Sequence, residues 1–152
     1  MLKKIVPLTL LIIFLYGCGY QPIYSNMDDS EINIKIINME GDRETNNIIK
    51  LRLNKYQNDN AIRNFEVEIN TEFNKKSILK DAAGNTTNYR LSSSVNFTVK
   101  LNEEDKVITL SEKFDIKKSN TKFEEKNYEK TIKKNMADLI VRRFVNQILM
   151  LK

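Results

Sequence analysis

The sequence predicts an α+β two-layer sandwich: a four-stranded, mainly antiparallel sheet with two helices on one face, in the order β-α-β-β-β-α. Three observations lead there. Four segments alternate apolar and polar residues with period two. Two other segments carry apolar residues at helical spacing. The alternation leaves the sheet a single apolar face, so both helices must cover the same side.

The first strand is EINIKIINM, Glu31 to Met39, where Ile32, Ile34 and Ile36 alternate with Asn33 and Lys35. Stiff β-branched side chains at period two suit a pleated, half-buried surface. Gly41-Asp42 ends it, and Asp42 stands where a cap is needed. Arg43 to Tyr56 is the first helix, with Ile49, Leu53 and Tyr56 at i, i+4 and i+7 and Ile48 beside them. Asn58-Asp59-Asn60 breaks it. The segment NFEVEINTEFN then puts Phe65, Val67, Ile69 and Phe73 on one face of a second strand. Lys75 to Asn88, with its charges, Gly84-Asn85 and a threonine pair, reads as a long hairpin connection.

The clearest strand follows. Tyr89, Leu91, Val95, Phe97, Val99 and Leu101 share one face, while Arg90, Ser92, Ser94, Asn96, Thr98 and Lys100 share the other. Asn102 to Asp105 turns the chain, and Ile108, Leu110, Phe114 and Ile116 mark the fourth strand. Thr121 with Glu124 forms a capping box for a helix reaching about Leu151. Its apolar stripe is Tyr128, Ile132, Met136, Leu139, Ile140, Phe144, Ile148 and Leu151. Phe97 and Val99 are expected to pack against Leu139 and Ile140.

The chain start has a different logic. Lys3 and Lys4 precede an apolar run from Ile5 to Tyr16, shorter than the roughly 20 residues a membrane helix needs. A charged leader, a short apolar stretch and a small-residue exit predict a signal peptide over residues 1–17, hence export. Exported domains use cysteines in pairs, yet Cys18 stands alone. Leu15-Tyr16-Gly17-Cys18 resembles the bacterial lipobox, with Tyr16 in place of the usual small residue. That resemblance implies a diacylglycerol and an N-acyl chain on Cys18. The other reading is a buried or incidental thiol. Gly19 after the cysteine resembles outer-membrane sorting signals. Residues 18–30 are then a lipidated tether, and 31–152 a single domain.

Setting aside Lys3 and Lys4 leaves 23 basic residues against 20 acidic, a net charge of +3. That is far from the concentrated charge of a nucleic-acid binder. The sequence has no histidine, which removes Ser-His and Cys-His nucleophile pairs and imidazole metal sites. Four glycines form no phosphate loop. Glu103, Glu104 and Asp105 sit together, but an acidic turn is ordinarily just solvated. The expectation is no enzyme, no metal and no cofactor beyond the lipid. Lysines gather at the hairpin and helix entrance, where Lys75, Lys76, Lys80 and Arg90 are candidates for binding a phosphorylated glycolipid. Lys117, Lys118 and Lys122 lie nearby, and Lys126, Lys130 and Lys133 line up as a solvated helix face.

Cys18-Gly19-Tyr20-Gln21-Pro22-Ile23-Tyr24 resembles the mature start of the LptE family of lipopolysaccharide-assembly lipoproteins, in its alphaproteobacterial form. The run YEKTIKKNMADLIVRRFVNQIL resembles that family's final helix, and the order of elements is the family's order. The resemblance implies a non-enzymatic role: a lipid-anchored, periplasm-facing plug that helps fold an LptD-type outer-membrane β-barrel and binds lipopolysaccharide through basic residues. The alternative is a lipoprotein adaptor in another envelope-assembly or lipid-trafficking system.

Overall fold

The computed structural model describes residues 32–101 and 104–151. Cys18, the signal and the tether lie outside the described residues. The elements are β1 (Ile32–Gly41), α1 (Arg43–Leu53) with a 3-10 turn at Asn54–Tyr56, β2 (Arg63–Lys80), β3 (Thr86–Lys100), β4 (Lys106–Lys117) and α2 (Lys122–Leu149). The strands form one sheet in the order β1-β2-β3-β4. β2, β3 and β4 pair antiparallel, whereas β1 runs parallel to β2, so the sheet is mixed. The parallel pair follows from the α1 crossover, since a chain that returns through a helix re-enters the sheet in its original direction.

Register aligns the apolar residues in rows across the inner face. Met39, Ile69, Phe97 and Ile108 form one such row, and Ile36, Val67 and Val99 another. A register shift between Ile36 and Asn38 explains why the inward residues of β1 change from even to odd positions. Ile37 faces outward, and the shift that follows Ile36 lets Met39 join the core. Phe65, Val67 and Ile69 of β2 and Leu91, Val95, Phe97 and Val99 of β3 are buried; α1 lies over the β1–β2 side of the sheet and α2 over β3 and β4. Phe97 and Phe144 stack with centroids 3.9 Å apart and planes 12° from parallel.

Five expectations need correction. The connection between β2 and β3 is short, because β2 runs on to Lys80 and β3 begins at Thr86. Leu139 and Tyr128 are largely exposed, while Ala137, Val141 and Val145 are buried instead. The buried residues of α2 recur every four positions, from Ile132 to Ile148 and from Lys133 to Val145, so the buried face drifts slowly around a helix of 3.6 residues per turn and a fixed stripe misplaces some of its members. Phe114 keeps inward parity but is 46% exposed, since β4 is an edge strand. Leu101 lies beyond the end of β3 and is exposed. Finally, Lys133 is no solvated residue: its side chain is 8% exposed.

Lys133 holds the two helices together at one corner. Its ammonium lies 3.3 Å from Asp42 Oδ1, 3.1 Å from Glu44 Oε2 and 3.9 Å from the Phe73 ring centroid. Asp42 is also the N-cap of α1, accepting from Thr45 N at 2.8 Å and Thr45 Oγ1 at 2.6 Å. The chain reaches this corner through Gly41 at φ +95°, and a Cβ there would sit 1.8 Å from the Thr71 carbonyl oxygen. Only glycine fits. At the other end, Arg63 donates to the carbonyls of Ile148 at 3.1 Å and Leu149 at 3.3 Å, and also to Leu151, satisfying the last turn of α2.

Two outcomes follow. Phe97→Ala should lower the unfolding free energy by about 3–5 kcal/mol, whereas Thr98→Ala on the opposite face should cost far less; denaturant titration measures both. Equal losses would show that both faces are buried. The second concerns acid. Burial pushes the Asp42 carboxyl up, but the Thr45 hydrogen bonds and the Lys133 charge outweigh it and hold it below the ordinary aspartate range. A depressed folded-state pKa adds stability above the unfolded value and loses it as pH falls through the folded one. Stability should therefore drop below the ordinary aspartate range in wild type, and Asp42→Asn should flatten that drop in pH-dependent melts.

Candidate functional site

The face of the sheet opposite the helices is polar. Successive rows across β2, β3 and β4 read Glu68-Thr98-Val107, Asn70-Asn96-Thr109, Glu72-Ser94-Ser111, Asn74-Ser92-Lys113 and Lys76-Arg90-Asp115. The short side chains of Ser92, Ser94 and Ser111 floor a trough of about 260 Å³ walled by Glu72, Asn74 and Lys113. Lateral contacts hold this surface in place. Thr109 Oγ1 donates to Asn96 Oδ1 at 2.8 Å, and Asn33 Nδ2 to Asn64 Oδ1 at 3.0 Å. Lys100 lies 2.6 Å from Asp105 and 3.4 Å from Glu68; its hydrogen bond to Asp105 raises its pKa against a smaller desolvation cost.

The β2–β3 hairpin extends past the rest of the sheet. β1 pairs with β2 only as far as Thr71, opposite Gly41, and β3 meets β4 only from Asn88 onward. Its turn is built around Asp81, which accepts from Ala83 N at 3.0 Å, Asn85 N at 2.8 Å and Asn85 Nδ2 at 3.2 Å. Those bonds, from Asn85 above all, hold the Asp81 carboxyl below its usual value. Gly84 takes φ +84°, a left-handed conformation that suits glycine.

The four candidate basic residues do not converge. Lys76 and Arg90 are cross-strand partners on the outer face, and Lys80 lies at the end of β2. Arg90 donates to both oxygens of Asp115 at 2.7 and 2.8 Å, which raises the arginine pKa and lowers the aspartate's. Lys75 points the other way. Its ammonium pairs with Glu125 at 2.7 Å and Glu129 at 3.0 Å and lies 4.4 Å from the Tyr89 ring centroid. Burial alone would lower its pKa, but the two carboxylates outweigh burial and raise it. Sequence reading missed this tie between hairpin and helix. The signal was present: Phe73, Lys75, Ser77 and Leu79 continue the period of two, disguised by the Lys-Lys pair.

Among the described residues, no helix is long and apolar enough to cross a membrane, and no group of three acidic or sulfur ligands is placed to hold a metal. The polar surface and the projecting basic hairpin present hydrogen-bonding and charged groups. A family model for lipopolysaccharide-assembly proteins, LptE, matches residues 34–148. No curated protein matches the chain. The fold is similar to the rare lipoprotein B from Shewanella oneidensis, with a TM-score of 0.56 at 15% identity over 78% of this chain and 96% of that one. It is also similar to a minor lipoprotein from Acinetobacter baumannii, with a TM-score of 0.50 at 16% identity over 78% of this chain and 94% of that one. The match from the middle of β1 to the last turn of α2 covers nearly the whole described domain, and the chain belongs to the LptE family of lipopolysaccharide-assembly proteins.

Proposed function

We propose that this chain is a non-enzymatic outer-membrane lipoprotein that plugs an LptD-type β-barrel, assists its assembly and binds lipopolysaccharide in transit. The observation that carries this reading is the one-sided sheet, seen in a chain of this family. A plug in a barrel must offer hydrogen-bonding groups to a polar lumen wall. The rows from Glu68 to Asp115 supply them, and the helix layer leaves that face uncovered. Acylation of Cys18 would keep the domain at the membrane, since stable anchoring takes two or more chains.

The basic hairpin fits the phosphates of a glycolipid headgroup through charge-assisted hydrogen bonds. Lys76, Lys80 and Arg90 stand on the accessible side. Lys75 would contribute only after leaving Glu125 and Glu129. Its first role is to hold the hairpin against α2.

Purification of the tagged full-length protein from outer membranes should bring a large β-barrel with it. Ser111→Arg should abolish that recovery while changing stability by less than about 0.5 kcal/mol, as changes at exposed surface positions do. Recovery without a barrel would favour an adaptor in another envelope system. Labelled palmitate should enter the wild type and not Cys18→Ala. Changing Lys76, Lys80 and Arg90 together to Ser should reduce lipopolysaccharide binding and leave barrel recovery intact. Unchanged glycolipid binding at low and moderate salt would sink the hairpin's role.

A further inference from the structure

The first turns of α2 rest on the domain through charge. From Lys122 to Thr131 no side chain is buried, and the buried face of the helix starts at Ile132. Phe123 and Tyr128, the aromatic residues of this stretch, are exposed. The spacing of its charges works against the helix. Lys122, Lys126 and Lys130 follow one another at steps of four, and Glu125 and Glu129 stand one turn apart. Like charges at that spacing repel. One residue from another element resolves the conflict between the glutamates. Lys75 of β2 sets its ammonium 2.7 Å from Glu125 and 3.0 Å from Glu129, and none of the three side chains is more than 26% exposed. Salt screens such partly buried pairs less than open ones. A helix stretch that is polar all round needs support of this kind to persist.

We propose that Lys75 is a latch: it keeps the first turns of α2 folded against the hairpin, and a phosphorylated glycolipid headgroup opens them by drawing Lys75 away. The ligand's part rests on the glycolipid reading of the hairpin, whereas the latch itself does not. Arg90 is committed to Asp115, so Lys76 is the outward cation beside it that has no carboxylate partner among the described residues. A phosphate of charge about −1.5 to −2 held there calls for a further cation. Past Thr71 no described strand borders β2 on the β1 side. The flexible stem of Lys75 can swing round that open edge. Once it does, Glu125 and Glu129 face each other uncompensated, and the stretch up to Thr131 unwinds. Ile132 and Met136, packed with Leu91 and Ile116, stop the unwinding there. Linkage makes the coupling reciprocal, so a change that loosens the hold on Lys75 must tighten the ligand.

Backbone hydrogen exchange on the purified full-length protein in neutral detergent reads the latch without any ligand. Lys75→Gln should speed exchange of the Lys126 to Thr131 amides about tenfold, the loss of one charged contact. The amides from Ile140 to Ile148 should keep their protection. Lys117→Gln, the same change of charge at the exposed end of β4, should leave both stretches alone. Lys75→Arg keeps the charge and should stay protected. Unchanged exchange in Lys75→Gln, acceleration that extends through Ile148, or equal acceleration by Lys117→Gln would overturn the latch. Phosphorylated lipid A then tests the opening. It should speed exchange from Lys126 to Thr131 in the wild type, and its dephosphorylated form should not. Glu129→Gln should bind phosphorylated lipid A about threefold tighter, the worth of one such ion pair. Glu124→Gln, exposed and with no ion pair to Lys75, should not. Bound lipid A that leaves exchange unchanged, or equal tightening by Glu124→Gln, would overturn the ligand's part. Failure of the wild type to bind lipid A would overturn the glycolipid reading and the ligand-driven opening with it, while faster exchange confined to the first stretch in Lys75→Gln would still establish the latch.

Discussion

Phe97 and Phe144 meet ring to ring at the centre of the interface through which this chain buries most of its apolar surface. The sheet alternates strictly, so it has one face to offer, and both amphipathic helices must share it. Everything else adjusts to that shortage. α1 covers the β1–β2 side, α2 crosses the rest, and the opposite face stays in contact with solvent or a partner.

Sharing one face brings charged residues into places where they must be matched. The buried residues fall into two groups, a large one around Phe97 and a smaller one of Leu91, Ile116, Ile132 and Met136. Between them lies the row Phe73-Ser93-Glu112, with Lys133 over the Phe73 ring and Arg143 Nη1 2.5 Å from Glu112 Oε1. Desolvating such ions is costly unless each finds a partner. Their matching fixes how α1, α2 and β4 sit together. Ser93 Oγ and Glu112 Oε1 are both buried without a hydrogen-bond partner among the described residues, but Glu112 has the charge of Arg143 beside it and Ser93 has no such compensation.

The same division separates roles on the surface. Lys75 and Lys133 turn inward and lock helices to sheet, while Lys76 and Arg90 turn outward on the neighbouring strand positions. A one-residue step along a strand reverses a side chain's face. A surface lysine cluster in sequence thus becomes a structural clamp on one side and an outward-facing basic pair on the other.

The order and nature of the elements were legible in the sequence because period two and period 3.6 are local properties of the chain. So were both helix caps: Asp42 and Thr121 accept from Thr45 and Glu124 as their spacing implies. The polar outer face was equally plain, since its residues are the complement of the apolar stripe. What tertiary structure decided was every matter of long-range register. The parallel pairing of β1 with β2 follows from the α1 crossover, and the burial of Ala137 and Val141 in place of Leu139 and the inward turn of Lys75 follow from how α2 lies on the sheet. The partners of Lys133 lie about ninety positions away, at Asp42 and Glu44. A charge looks solvated in sequence until the fold sets its counter-charge beside it, and no local pattern carries that distance.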